Sequence, residues 1–172
     1  TISSHSSTSN AFKDTSGNLL NRDFEALHNW TVSEFEGYTI FMNDDDEIAP
    51  LLIPHDFSTF VSITGAEPNF SMGVVYQNRF WVAGDPDHPS RLYYSDLNDP
   101  TAGYSANIID IDPADGSEIT ALYVFRDRLF VFKGPNKGSI HVIAGKTPST
   151  FTRDTFSTKV GCCGPNAVIE FS

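Results

Sequence analysis

At 172 residues with 40% hydrophobic side chains, the chain is long enough for a packed domain and too apolar for a disordered one. Eleven Lys and Arg against 22 Asp and Glu give a formal charge of −11, which repels phosphate backbones and argues against tight nucleic-acid binding. Fourteen Phe and six Tyr, with recurrent Val, Ile and Thr and punctuating clusters of Gly and Pro, predict many short strands in an all-β fold.

Residues 1–29 have neither the basic start nor the apolar core of a signal peptide, and no structural unit is assigned to them. No run of about 18 apolar residues occurs anywhere, so no transmembrane helix and no membrane insertion are expected. From Trp30 onward the chain repeats itself, and such a period takes precedence over local signals.

The first copy, residues 30–65, is divergent. Phe35-Glu36-Gly37-Tyr38-Thr39-Ile40-Phe41 predicts a hairpin, Leu51-Leu52-Ile53 a third strand and Phe57-Ser58-Thr59-Phe60 the segment beyond. The second copy, residues 66–114, carries Val75-Tyr76-Gln77-Asn78-Arg79-Phe80-Trp81-Val82, then a polar turn Gly84-Asp85-Pro86-Asp87-His88-Pro89. A third strand follows at Arg91-Leu92-Tyr93-Tyr94 and a fourth near Asn107 to Ile111. In the third copy, residues 115–160, the hairpin string recurs 49 positions later (75 to 124) as Val124-Phe125-Arg126-Asp127-Arg128-Leu129-Phe130-Val131. Gly134-Pro135-Asn136-Lys137-Gly138 then leads to a strand at Ser139-Ile140-His141-Val142, with the fourth from Phe151 to Asp154. Residues 161–172 read as the first strand of a further unit, with Ala167-Val168-Ile169 at its centre.

Each predicted hairpin turns on two residues, Glu36-Gly37, Gln77-Asn78 or Arg126-Asp127, and the second is always a type that tolerates positive φ. A type I′ turn requires that tolerance. Four antiparallel strands per 41 to 49 residues is the period of a propeller blade. A β-sandwich is the alternative, but its strands do not normally repeat at a fixed spacing. Closed propellers typically have 4 to 8 blades, so the expectation is a partial propeller and a chain that is a fragment of a longer protein.

Several groups invite a chemical reading, and each has a plainer one. Asp110-Ile111-Asp112-Pro113-Ala114-Asp115-Gly116 approximates a calcium loop, yet its third acid and Gly fall one place late, so a tight turn between units is preferred. Asp44-Asp45-Asp46-Glu47 reads as a solvated loop. Adjacent Cys162-Cys163 cannot bridge without strain and read as small apolar residues leading into a strand. His5, His28, His55, His88 and His141 show no metal-ligand spacing, and Gly134 to Gly138 is a hairpin loop rather than a phosphate cradle. Tyr94-Ser95-Asp96-Leu97-Asn98-Asp99-Pro100-Thr101 lacks the spacing, Gly and Trp of a sialidase Asp-box. No catalytic, cofactor-binding or metal-ligating residue is assigned, and no enzymatic activity is expected.

Taken together, Phe125 to Phe132, Ser139-Ile140-His141-Val142-Ile143, Pro148-Ser149-Thr150-Phe151, Val160-Gly161-Cys162-Cys163-Gly164-Pro165, Leu92 to Pro100 and Ile109-Asp110-Ile111-Asp112 resemble strings found in β-propeller proteins of tailed-phage virions. The resemblance covers roughly Trp30 to Ser172 and is strongest after Gly73. It implies a tail tube or nozzle component of short-tailed phages, made in the host cytoplasm and assembled into the virion. Its implied partners are other tail proteins and copies of itself in a ring, with transient contact to viral DNA. A receptor- or glycan-binding tail module, using loops such as Gly84 to Pro89, is the alternative function, and a propeller glycosidase a more distant one. Because the resemblance is one of fold, it names no site.

Overall fold

The computed structural model describes residues 30–44, 50–56, 61–62 and 69–168. The protein is all-β, with three four-stranded antiparallel sheets in which each strand pairs with the next in the chain. The first sheet holds β1 (Trp30–Phe35), β2 (Tyr38–Asn43), β3 (Leu51–Pro54) and β4 (Val61–Ser62). The second holds β5 (Met72–Tyr76), β6 (Arg79–Ala83), β7 (Arg91–Tyr94) and β8 (Ile108–Asp110). The third holds β9 (Glu118–Phe125), β10 (Arg128–Gly134), β11 (Ser139–Ala144) and β12 (Thr152–Ser157).

The opening hairpins are closed by the predicted dipeptides. Phe35 pairs with Tyr38, Tyr76 with Arg79 and Phe125 with Arg128, leaving two residues in each turn. All six turn residues have positive φ, from 47° at Glu36 and Arg126 to 79° at Gly37. That conformation matches the twist of the flanking strands and fixes the register. Register is conserved in the repeat as well. Trp81 faces Tyr94 and Val82 faces Tyr93, while their counterparts Phe130 and Val131 face Val142 and His141.

The sheets stack through their faces. Phe80, Val82 and Tyr93 of the second sheet pack with Phe35, Ile40, Met42 and Leu52 of the first. From the opposite face of the second sheet, Trp81, Leu92 and Tyr94 pack with Leu129, Val131 and Ile143 of the third. Consequently all four residues from Phe80 to Ala83 are fully buried. Each large side chain so placed contributes about 1.5–3 kcal/mol of apolar burial. Phe151 extends the second interface, its ring edge-on to Trp81 at 5.1 Å and to Tyr94 at 5.5 Å.

First strands lie beside first strands. β1 contacts β5 and β5 contacts β9. Thr31 donates to the carbonyl of Ser71 (2.7 Å) and Ser33 to that of Gly73 (3.1 Å). At the far end of β5 the Tyr76 hydroxyl reaches the next hairpin, donating to the carbonyls of Asp127 and Gly145.

One local expectation is corrected. Where a strand through Ala167 was expected, Pro165–Ala167 forms a 3-10 turn with Pro at its start. Proline fixes φ near the helical value and has no N–H for a ladder, so it opens a turn here instead of a strand. Ile169, like residues 1–29, Phe57 to Phe60 and Asp45 to Glu47, lies outside the described residues.

Candidate functional site

Two polar groupings interrupt the apolar stack. One is a seam between the second and third sheets, built on Lys133. Leu129, Val131 and Lys133 alternate onto one face of β10, and that face is the one turned toward the second sheet. The Lys133 side chain is fully buried. Its ammonium donates to the carbonyl oxygens of Ile111 (2.6 Å) and Asp112 (2.9 Å), to Asp115 Oδ1 (2.8 Å) and to Ser90 Oγ (3.2 Å). A buried charge is tolerated only with such compensation.

The loop weighed above as a calcium site is therefore the cradle of a lysine. Asp112 and Gly116 adopt left-handed φ (43° and 71°) on either side of a 3-10 turn at Pro113–Asp115. This folds the linker so that its oxygens converge on Lys133. The carboxylates of Asp112 and Asp115 go to different cations, Asp112 binding Arg153 at 2.9 Å. Burial pushes the Asp115 carboxyl up, but hydrogen bonds from Lys133 and the Ser117 amide outweigh it and hold the group below the usual carboxylate value. His141 is fully buried beside Ser139 Oγ (3.0 Å) and 3.7 Å from Asp112 Oδ2. Burial is the main cause of its lowered pKa, partly countered by Asp112.

The second grouping sits at the mouth of a cleft of about 850 Å³ that runs past the beginnings of β5 and β9 and is lined by Thr31, Asp44, Asp85, Glu118, Thr120 and Cys163, among others. Asp85 is buried, accepting from the Tyr93 hydroxyl and the Asp87 amide, with His88 Nδ1 at 3.1 Å. Burial, reinforced by Asp85, raises the Tyr93 hydroxyl pKa well above its ordinary value. The Gly84–Pro89 loop is thus anchored at Asp85, and only its tip, Pro86 to Pro89, is exposed.

The remaining residues weighed earlier are structural or peripheral. Cys162 and Cys163 are free thiols, the first donating to the Gly164 carbonyl. Gly161 lets the entering chain press on the third sheet, since a Cβ there would collide with the Lys133 carbonyl oxygen. Asp99 caps its turn through the amide and hydroxyl of Thr101, and Thr147 with Thr150 forms a capping box at the equivalent corner. His55 is exposed at the end of the first sheet's third strand.

Lys133, Asp85, Tyr93 and Arg153 were not singled out from sequence. The alternation of Leu129, Val131 and Lys133 carried the signal for the lysine. Nothing local announced Tyr93 or Arg153, whose hydrogen-bond partners Asp85, Asp110 and Asp112 lie eight to 43 residues away. No helix among the described residues is long and apolar enough to cross a membrane. Compared with known proteins, the chain matches no protein-family model and no curated sequence.

Proposed function

We propose that this chain is a run of β-propeller blades acting as a structural component of a bacteriophage tail, of the nozzle or tube type, rather than as an enzyme. The observation that carries the blade reading is the second sheet, buried on one face by the first sheet and on the other by the third. A sandwich covers each sheet on one face. A propeller covers both faces and keeps the first strands together about an axis.

The virion role draws on the motif strings quoted above and on charge. The three first strands read WTVSEF, MGVVY and EITALYVF, without a single Lys or Arg. In a propeller these strands line the bore, where Glu34 and Glu118 would be the charges they present. A wall without cations releases no counterions to a passing duplex and does not hold it. Repulsion reaches only about 8–10 Å at physiological salt, so it acts where the bore is narrow. The partners of this reading are other tail proteins and further copies of the chain in a ring, with DNA as a transient visitor.

A filter-binding titration at low salt, paired with negative-stain imaging of assembled tails, tests it. The expected result is a ring containing this chain and no DNA retention at micromolar protein. Retention would sink the passage role. Binding to host-surface glycans through the exposed Pro86 to Pro89 tip would replace it with the receptor reading, and turnover of a fluorogenic glycoside with the enzymatic one.

A further inference from the structure

We infer that the open face of the third sheet is the docking surface for a fourth four-stranded antiparallel sheet, entered through Cys162–Ala167. The inference rests on the propeller reading above but not on the virion role. The repeat makes three positions of the second and third sheets equivalent. Trp81, Ala83 and Leu92 of the second sheet are each 0% exposed, because the third sheet covers them. One repeat later the same positions are Phe130, Phe132 and Ile140, and all three are only half-buried. Phe156, whose ring packs edge-on to Phe130 at 6.0 Å, is 69% exposed. Apolar side chains left partly open together on one sheet face form a surface suited to interaction.

The entering chain says what covers it. Where the backbone passes from the first sheet to the second, Thr31 of β1 donates to the Ser71 carbonyl at 2.7 Å. Where it leaves the third sheet, Thr120 of β9 donates to the Cys162 carbonyl at 2.8 Å. The 3-10 turn at Pro165–Ala167 then lies against β9, as β5 lies against β1. Ala167 is thereby placed beside β9, the position from which a next first strand would run. The sheets that cover the first and second present Phe80, Val82 and Tyr93, and Leu129, Val131 and Ile143, respectively. A fourth sheet with apolar side chains at those positions fills the open face by the same packing.

Thiol labelling of Phe156→Cys tests this, in a Cys162→Ser, Cys163→Ser background, with Leu97→Cys as an exposed control. Rates are compared between the 172-residue chain and the chain extended by its natural downstream reading frame. The expected result is a drop of tenfold or more at position 156 on extension, with position 97 unchanged. Equal rates at 156 would overturn the inference, as would a reading frame that stops at Ser172. Concentration-dependent protection of the 172-residue chain would overturn it by naming a second copy as the cover. Phe132→Cys gives an independent readout on the same face should Phe156→Cys fold poorly. Protection without a ring in stained tails would spare this inference and remove the virion role, and the opposite pair of results would do the reverse.

Discussion

The ammonium of Lys133, on the second strand of the third sheet, lies 2.8 Å from Oδ1 of Asp115, in the linker that leaves the second sheet. The pair is the centre of a clamp, because the same ammonium also holds two linker carbonyls and Ser90 at the start of β7. Four acceptors share the three N–H donors of this one ammonium, which ties together segments that are distant in sequence.

Removing one partner of a buried pair strands the other. Lys133→Met is expected to lower stability by about 3–5 kcal/mol, read as a shift of the urea midpoint at constant slope. Adding Asp115→Asn to it should restore part of the loss, because the uncompensated charge is then gone. A loss below about 1 kcal/mol for Lys133→Met would show that the clamp contributes little.

Stability should fall with acid in two steps. His141 titrates below its ordinary 6.5 in the folded protein, so the unfolded chain takes up its proton first. Its contribution is complete above pH 6.5 and is lost as pH falls toward the lowered folded value. Asp115 also sits below its reference of 3.8, so its contribution is present above that pH and lost as pH falls through the folded pKa. Urea midpoints measured from pH 8 to pH 3 should show both steps, and His141→Gln should flatten the upper one. An unchanged upper step in that variant would assign it elsewhere.

The hairpin turns make a prediction about residue type. Asn78 and Asp127 sit at φ of 55° and 56°, where β-branched side chains are strained. Asn78→Val and Asp127→Val are each expected to cost about 1–2 kcal/mol, whereas Asp127→Gly should stay within about 0.5 kcal/mol of the parent. Thermal denaturation of the three variants measures this. Equal behaviour of Val and Gly at 127 would contradict the type I′ geometry.

Gly161 and Gly164, three residues apart, should respond differently to the same methyl group. A Cβ on Gly161 would meet backbone of Lys133 and Gly138, which cannot move aside as a side chain can. Gly161→Ala is expected to cost about 1–3 kcal/mol. A Cβ on Gly164 meets nothing within 4 Å, and its φ of 169° is extended backbone open to any residue. Gly164→Ala should therefore lie within about 0.5 kcal/mol of the parent. If the two variants melt together, the close approach of this segment to the third sheet is not what requires glycine.

The local architecture is legible in the residues alone, because the forces that set it act over a few positions. Gln77-Asn78 and Arg126-Asp127 placed the turns, Gly and Pro clusters bounded the strands, and the recurrence of Tyr76 to Val82 at Phe125 to Val131 fixed which strands correspond. A local signal also misled. The apolar run at Ala167 suggested a strand, but Pro165 removes a donor and starts a turn.

Where charge could be buried depended instead on how the sheets pack. The oxygens that hold Lys133 come from residues 90, 111, 112 and 115, none closer than 18 positions to it. Asp110 to Gly116 scans as an imperfect metal loop because its pattern of acids and Gly is local information. That an ammonium from the next sheet is the cation there depends on how the second and third sheets stack. The stacking is set by apolar burial summed over Trp81, Leu92, Leu129, Val131 and Ile143, and that sum is a property of the assembled fold rather than of any window of the chain.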